Sequence, residues 1–270
     1  MKKIELDKTG TYLPAVGIGT WGMGGKFEAD RSNDDEAVQA IIEAVKLGMT
    51  HIDTAEFYGN GHTEEIVGKA LKHLKREDVF ITSKIWPTHL NYHDAFNSIE
   101  TTLRKLGTDH VDLYLIHWPP TETTVEESME IMNSILERGY TRYIGVSNFS
   151  IQEMKKAIKS SKAPIVCNQI KYNVEDRSAE ESGLIDYCKS NGISVVAYSP
   201  LNRMEISETT KEKLKTIARN HNATMVQIAL AWLISKDVFV IPKSIDKSHL
   251  VENARAGEIT LSKADMEMLS

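Results

Sequence analysis

Short apolar runs recur along the chain, each followed by an amphipathic stretch. They are AVGIG from Ala15, HID from His51, VFITSK from Val79, VDLYLIH from Val111, YIGVS from Tyr143, IVCNQI from Ile165, ISVVAYS from Ile193 and VFVIPKS from Val238. Continuous apolar runs of this length read as strands buried on both faces. The stretches between them follow a helical period. In NDDEAVQAIIEAVKLG, Asn33 stands where a cap belongs and Glu36 takes the capping-box position. Ala37, Ile41, Ala44 and Val45 share one face, and Gly48 closes the helix. Buried strands alternating with amphipathic helices predict a parallel sheet covered by helices, because parallel neighbours need long crossovers. Eight such units in 270 residues predict an α/β chain folded as a closed (β/α)8 TIM barrel rather than an open sheet.

Two further features complete the expected architecture. IELDKTGTYLP alternates around Lys8-Thr9-Gly10 and predicts an N-terminal β-hairpin closing the bottom of the barrel. Before the eighth run, two helical stretches, Glu208 to Asn220 and Ala223 to Ser235, replace the usual one. No linker interrupts the pattern, so residues 1–270 are expected to form a single domain.

Composition narrows the function classes. Hydrophobic residues at 41% and charged residues at 26%, without a low-complexity tract, belong to a globular chain with ample core material. A net charge of −6 with dispersed lysines and arginines argues against a nucleic-acid partner and against a polybasic membrane anchor. The N-terminal MKKIELDKTGTYLP lacks an apolar core and no run reaches membrane-spanning length, so a cytoplasmic protein with no membrane partner is expected. Cys167 and Cys188 lie in buried patterns without CxxC or Cys/His spacing, and no metal site is expected from them.

Gly17-Ile18-Gly19-Thr20-Trp21-Gly22 spells the GxGxxG of dinucleotide-binding turns. That fingerprint works only when its last glycine opens a helix. Here Met23-Gly24-Gly25 follows and no helical pattern begins before Asn33, so a loop over the barrel mouth carrying Trp21 is expected instead.

In a parallel barrel, chemistry gathers at the carboxyl ends of the strands. The polar residues closing the runs are Asp53, Lys84, His117, Ser147 with Asn148, Gln169, Tyr198 with Ser199, and Lys243 with Ser244. Any one of them could merely satisfy strand-end backbone groups. As a set they suggest more. Asp53, Lys84 and His117 would face one opening, and Tyr58 could reach it from the loop after Asp53. A phenol with a pKa of about 10 is a weak proton donor, but an ammonium about 4 Å away favours its phenolate by about 4 kcal/mol at an effective dielectric of about 20. Lys84 would supply that help before burial opposes it, and Asp53 would keep Lys84 charged and oriented. His117 would direct a substrate oxygen toward Tyr58. Such a site protonates a polarised carbonyl. A metal-dependent barrel hydrolase built on His51, Asp53 and His117 is the remote alternative, since His51 and Asp53 share a strand face.

DTAEFYG, TSKIW and LIHWP, in this order on the second, third and fourth runs, resemble the Asp, Tyr, Lys and His tetrad of the aldo-keto reductases. GIGTWG, GVSNF from Gly145, NQI from Asn168, AYSPL from Ala197, and IPKS followed by EN between Ile241 and Asn253 extend the resemblance over nearly the whole chain. The resemblance implies a (β/α)8 barrel and reversible, metal-independent reduction of a small aldehyde or ketone with NAD(P)H. It assigns Tyr58 as general acid, Lys84 as the group lowering its pKa, Asp53 as the holder of Lys84, and His117 as the group orienting the carbonyl. Gly19, Thr20 and Trp21 fall in its cofactor site. Ser147, Asn148 and Gln169 would hold the carboxamide, and Tyr198 would stack on the nicotinamide. Ser199 and Leu201 would follow the pyrophosphate, Lys243 and Ser244 would meet the 2′-phosphate, and Glu252 and Asn253 would lie near the adenine.

This chain departs from the family pattern in two places. His249 stands where an arginine is usual, and a neutral imidazole lacks the guanidinium's fixed charge and planar fork. NADP(H) is therefore the expected preference, with NAD(H) also used. The segments WPPTETT after His117 and LNRMEIS after Tyr198 are brief, implying an open pocket for small or varied carbonyls walled by Trp21, Trp86 and Trp118. A monomer is expected. A nicotinamide-binding sensor or regulatory subunit with little turnover is the alternative within the same resemblance.

Overall fold

The chain opens with an antiparallel ribbon, Lys3–Glu5 (β1) against Tyr12–Pro14 (β2), in the computed structural model, which describes residues 1–269. The turn is tight because Gly10 takes a φ of 74°, a left-handed conformation that costs glycine little. Parallel strands follow in chain order: Ile18–Gly19 (β3), His51–Asp53 (β4), Phe80–Ile85 (β5), Val111–Ile116 (β6), Thr141–Ser147 (β7), Ile165–Lys171 (β8), Ser194–Tyr198 (β9) and Phe239–Val240 (β10). Each pairs with the next, forming an 8-stranded sheet.

The sheet closes on itself. Gly17 N donates to Val240 O at 2.8 Å and Val240 N donates to Ala15 O at 2.9 Å, so the first and last strands share hydrogen bonds and neither is left as a bare edge. Close backbones on either side explain two glycines of the dinucleotide spelling. A Cβ on Gly17 would stand 2.7 Å from His51 O, and one on Gly19 would stand 2.6 Å from Ile241 O. Both positions must lack a side chain for the neighbouring backbones to approach.

Helices cover the outside, and most of the expected boundaries hold. The pair before β10 is Glu208–Asn220 and Met225–Ser235. The second of these is buried almost throughout, with Trp232 at 0% exposure, which is why another helix must shield it. One expectation fails. Helix Asp34–Lys46 starts after Asn33, but the Asn33 side chain makes no cap bond and its Oδ1 is buried without a partner among the described residues. With φ −133° and ψ 27° its backbone lacks the extended geometry that aims a cap side chain at the first turn. Capping boxes form instead at Thr124 with Glu127, Ser150 with Glu153 and Thr224 with Gln227.

Strand alternation sorts the barrel interior into layers. At the bottom, Leu6 and Leu13 of the hairpin pack with Phe80, Leu113, Val166, Val196 and Phe239 in one apolar cluster. Each leucine contributes about 2 kcal/mol by leaving water, and Leu13→Ala would unseat the plug. Above that layer the interior turns polar. His51 Nε2 lies 3.0 Å from Thr82 Oγ1, and burial pushes the His51 ring down to about 4. Among the described residues no helix is long and apolar enough to cross a membrane.

Candidate active site

Asp53 ends β4, and the register pairs it with Thr82 of β5. Lys84 lies two residues further on the same strand face, so the period of two brings both side chains inside. Lys84 Nζ donates to Asp53 Oδ1 at 2.7 Å, Thr54 O at 2.9 Å and Tyr58 OH at 3.0 Å. Those bonds use every ammonium hydrogen. The second Asp53 oxygen, Oδ2, accepts Gln169 Nε2 at 2.6 Å. Lys84 is 0% exposed and Asp53 is 1% exposed, yet neither leaves a charge unmatched. Tyr58 begins a short 3-10 turn, Tyr58–Gly61, where Gly59 at φ 55° bends the chain directly behind the phenol.

The electrostatics of the site set burial against charge. Burial pulls the Lys84 ammonium toward deprotonation, but Asp53 and Tyr58 together hold it above the ordinary lysine value. Burial raises the Tyr58 phenol above its usual value, and the Lys84 charge opposes that rise without reversing it. Lys84 therefore offsets the penalty of burying a developing phenolate and does not make the phenol acidic in the ligand-free site. His117 lies just beyond β6, its N–H bonded to Ile85 O at 3.0 Å. Burial, aided by the Lys84 charge, pushes its ring down to about 2, so the imidazole is neutral. Its Nδ1 is buried without a partner among the described residues, and its ring centre lies 5.6 Å from that of Tyr58.

These groups open onto a cavity of about 700 Å³, and the structure brings most expected residues to it. Gly19, Thr20, Trp21, Trp86, Trp118, Ser147, Asn148, Gln169, Tyr198, Ser199, Leu201 and Lys243 all line it, with Asp53, Tyr58 and His117. Thr20 Oγ1 is already bonded to Asp53 O at 2.8 Å. The amide and hydroxyl groups form a chain: Tyr198 OH to Asn148 Oδ1 at 2.9 Å, Asn148 Nδ2 to Ser147 Oγ at 3.0 Å, and Ser147 Oγ to Gln169 O at 2.9 Å. Ser244, His249, Glu252 and Asn253 do not line the cavity. Ser244 Oγ accepts Asp246 N at 3.0 Å, and His249 N donates to Asp246 Oδ1 at 3.0 Å, so both belong to the start of helix Lys247–Ala256.

Sequence reasoning missed several residues. Lys26 and Arg203 line the cavity with Lys243, and none of the three has an ion-pair partner among the described residues. Arg203 is presented by consecutive left-handed residues, Asn202, Arg203 and Met204 at φ 43°, 54° and 59°, a turn that no glycine announces. Phe57 stacks on Trp86 with ring centres 3.8 Å apart, and Phe27 meets Trp21 edge-on at 5.7 Å. The available signal was a lone aromatic in the polar, glycine-rich loop after Trp21. Among the described residues no three His, Cys, Asp or Glu side chains form a group suited to a metal. The set proposed for a hydrolase is not assembled, since both Asp53 oxygens are held by Lys84 and Gln169.

At this barrel mouth a phenol bonded to a buried lysine and a neutral imidazole stand beside one cavity, an arrangement suited to a barrel oxidoreductase. The comparisons agree: a model of the Aldo/keto reductase family matches residues 15–270, and the chain belongs to that family. The methylglyoxal reductase YeaE of Escherichia coli (strain K12) is 37% identical over 95% of this chain and 90% of its own length. The glyoxal reductase of Bacillus subtilis (strain 168) is 34% identical over 96% of this chain and 89% of its own. Among solved structures, the thermostable aldo-keto reductase Tm1743 with the inhibitor epalrestat shares 52% identity at a TM-score of 0.97, covering 100% of this chain and 98% of that one. An aldo/keto reductase from Klebsiella pneumoniae in complex with NADP and acetate shares 32% identity at a TM-score of 0.90, over 100% and 94% of the two chains.

Proposed function

We propose that the protein reduces small aldehydes and ketones, reversibly, with NADP(H) preferred and NAD(H) also used, and that Tyr58 is the proton donor. The observation that carries this is the Lys84 ammonium, fully bonded between Asp53, Thr54 and the Tyr58 hydroxyl at the floor of the cavity. The residues present fit a nicotinamide dinucleotide. Tyr198 offers a ring, Ser147, Asn148 and Gln169 offer amide-matching donors and acceptors, and Lys26, Arg203 and Lys243 offer unpaired positive charge for phosphates. When bound, the cofactor supplies hydride to the carbonyl carbon.

The chain's own residues do the rest. His117, neutral, offers the substrate oxygen a hydrogen bond without a charge. Tyr58 keeps its proton through neutral pH because burial favours the phenol, and it releases that proton to the oxygen as charge develops there. The Lys84 hydrogen bond is already in place to hold the resulting phenolate, so no reorganisation is needed at that moment. Trp21, Phe57 and Trp86 exclude water from one side of the site. The names of the relatives from Escherichia coli and Bacillus subtilis support small dicarbonyl substrates. Lys243 favours the 2′-phosphate, while His249 leaves that preference weaker than an arginine would.

Methylglyoxal, glyoxal and a series of simple aldehydes and ketones, each offered with NADPH and with NADH, test this reading. Carbonyl-dependent oxidation faster with NADPH is expected. NADPH binding without turnover on the whole panel would favour the sensor alternative and overturn the reductase reading.

A further inference from the structure

Glu56 lies two residues before Tyr58, but neither it nor His89 lines the cavity. Glu56 Oε1 accepts the Trp86 backbone N–H at 2.6 Å and His89 Nδ1 at 2.9 Å. His89 Nδ1 also lies 3.1 Å from Ser98 Oγ on helix Tyr92–Leu106. Trp86 comes directly after β5 ends at Ile85, so its N–H has left the sheet ladder and needs another acceptor. A carboxylate supplies a charge-assisted one, about twice as strong as a neutral partner. The bond ties the loop carrying Tyr58 to the segment carrying Trp86. That segment matters because Trp86 stacks on Phe57 at 3.8 Å and meets the His117 ring edge-on at 5.2 Å.

We propose that Glu56 is a positioning residue: backed by His89, it fixes the Trp86 backbone and so holds the Phe57–Trp86 wall against His117. The kinetic consequence rests on the reductase reading, whereas the brace itself rests on geometry alone. The bond to Glu56 is the main influence raising the His89 pKa, with burial opposing and Asp94 of helix Tyr92–Leu106 contributing. Glu64 of helix His62–Leu71 and Tyr114 of β6 also feel the Glu56 charge.

Glu56→Ala should raise the KM for methylglyoxal about tenfold, the lower range for a lost charge-assisted hydrogen bond, and change kcat by less than about threefold. NADPH affinity by calorimetry should stay within about twofold, which also shows that the variant is folded. Glu56→Gln, which keeps an acceptor oxygen for the Trp86 N–H, should recover most of the KM. An unchanged KM in Glu56→Ala, or a loss confined to NADPH affinity, would overturn the proposal. A second readout needs no turnover. In cofactor-free protein carrying 5-fluorotryptophan, the Trp86 fluorine resonance, assigned with Trp86→Phe, should move in a pH transition above the ordinary histidine value, and His89→Asn should abolish it. A Trp86 resonance indifferent to both pH and His89→Asn would overturn the brace. If the parent protein reduces no carbonyl, the reductase reading fails while this resonance still decides the role of Glu56.

Discussion

Two groups of residues around the cavity follow opposite plans. At the floor, Lys84 spends all its hydrogens, both Asp53 oxygens are bonded, and neither residue is more than 1% exposed. Elsewhere on the lining, Lys26, Arg203 and Lys243 face the same space with no ion-pair partner among the described residues, and His249 lies exposed on the next helix. The floor is fixed before any ligand arrives, which suits a transition state that needs preset electrostatics. The three cations, the arm, would keep their charge for a ligand to neutralise. Substitutions at the floor should therefore strike rate and folding, and those on the arm should strike affinity and cofactor choice.

The sharpest way to break that division is Tyr58→Phe. It should lower kcat by about 10²–10⁴, as expected for losing a general acid, while NADPH affinity measured by calorimetry changes less than about twofold. A parallel loss of affinity would mean that the floor also serves binding. Lys84→Met tests the folding half of the claim. It leaves the Asp53 carboxylate buried with Gln169 alone and should destabilise the fold by about 3–5 kcal/mol in urea titrations. Because the folded chain holds the Lys84 proton above its ordinary value, this stabilisation is full below a pH of about 10.4 and is lost as pH rises through the higher folded value. The variant should lack that alkaline step.

His117 gives a subtler check. With its ring held down to about 2, kcat/KM should show no acid limb from this group between about pH 7 and about pH 5. Its effect on stability has the opposite dependence to Lys84. The unfolded ring takes up a proton below about 6.5 and the folded one does not, so stability falls with acid through that range and His117→Asn should flatten the fall. An acid limb in the rate that His117→Asn removes would show a charged ring at work. The smallest effects belong to the arm. Lys243→Met should weaken NADPH about tenfold and NADH less than about twofold, and His249→Arg should strengthen NADPH a few-fold. Equal losses for both nucleotides in Lys243→Met would move that charge onto the shared diphosphate.

The same contrast explains what could be read from the sequence. The barrel was legible because each strand is a continuous apolar run, and the floor was legible because Asp53, Lys84 and His117 each end such a run. Residues placed by backbone conformation were not. Arg203 depends on a left-handed turn without glycine, and Phe27 on a loop whose path no periodicity describes. How far burial outweighs the Lys84 charge at Tyr58 was not legible, because a charge–charge estimate is available from residue types, whereas burial is known only once the fold is. Gly17 and Gly19 carried a familiar spelling for an unrelated reason, the close approach of neighbouring backbones at His51 and Ile241.

Trp21, Trp86 and Trp118 line the cavity, while the fourth tryptophan, Trp232, is sealed at 0% exposure. Indole emission overlaps the absorption band of a reduced nicotinamide and not that of an oxidised one. Excitation gathered by the cavity rings would therefore pass to NADPH and leave as blue light, with Trp232 as a steadier background. The ring-lined wall of the cavity would thus give the protein an intrinsic optical gauge of the redox state of a bound nicotinamide, readable without any label.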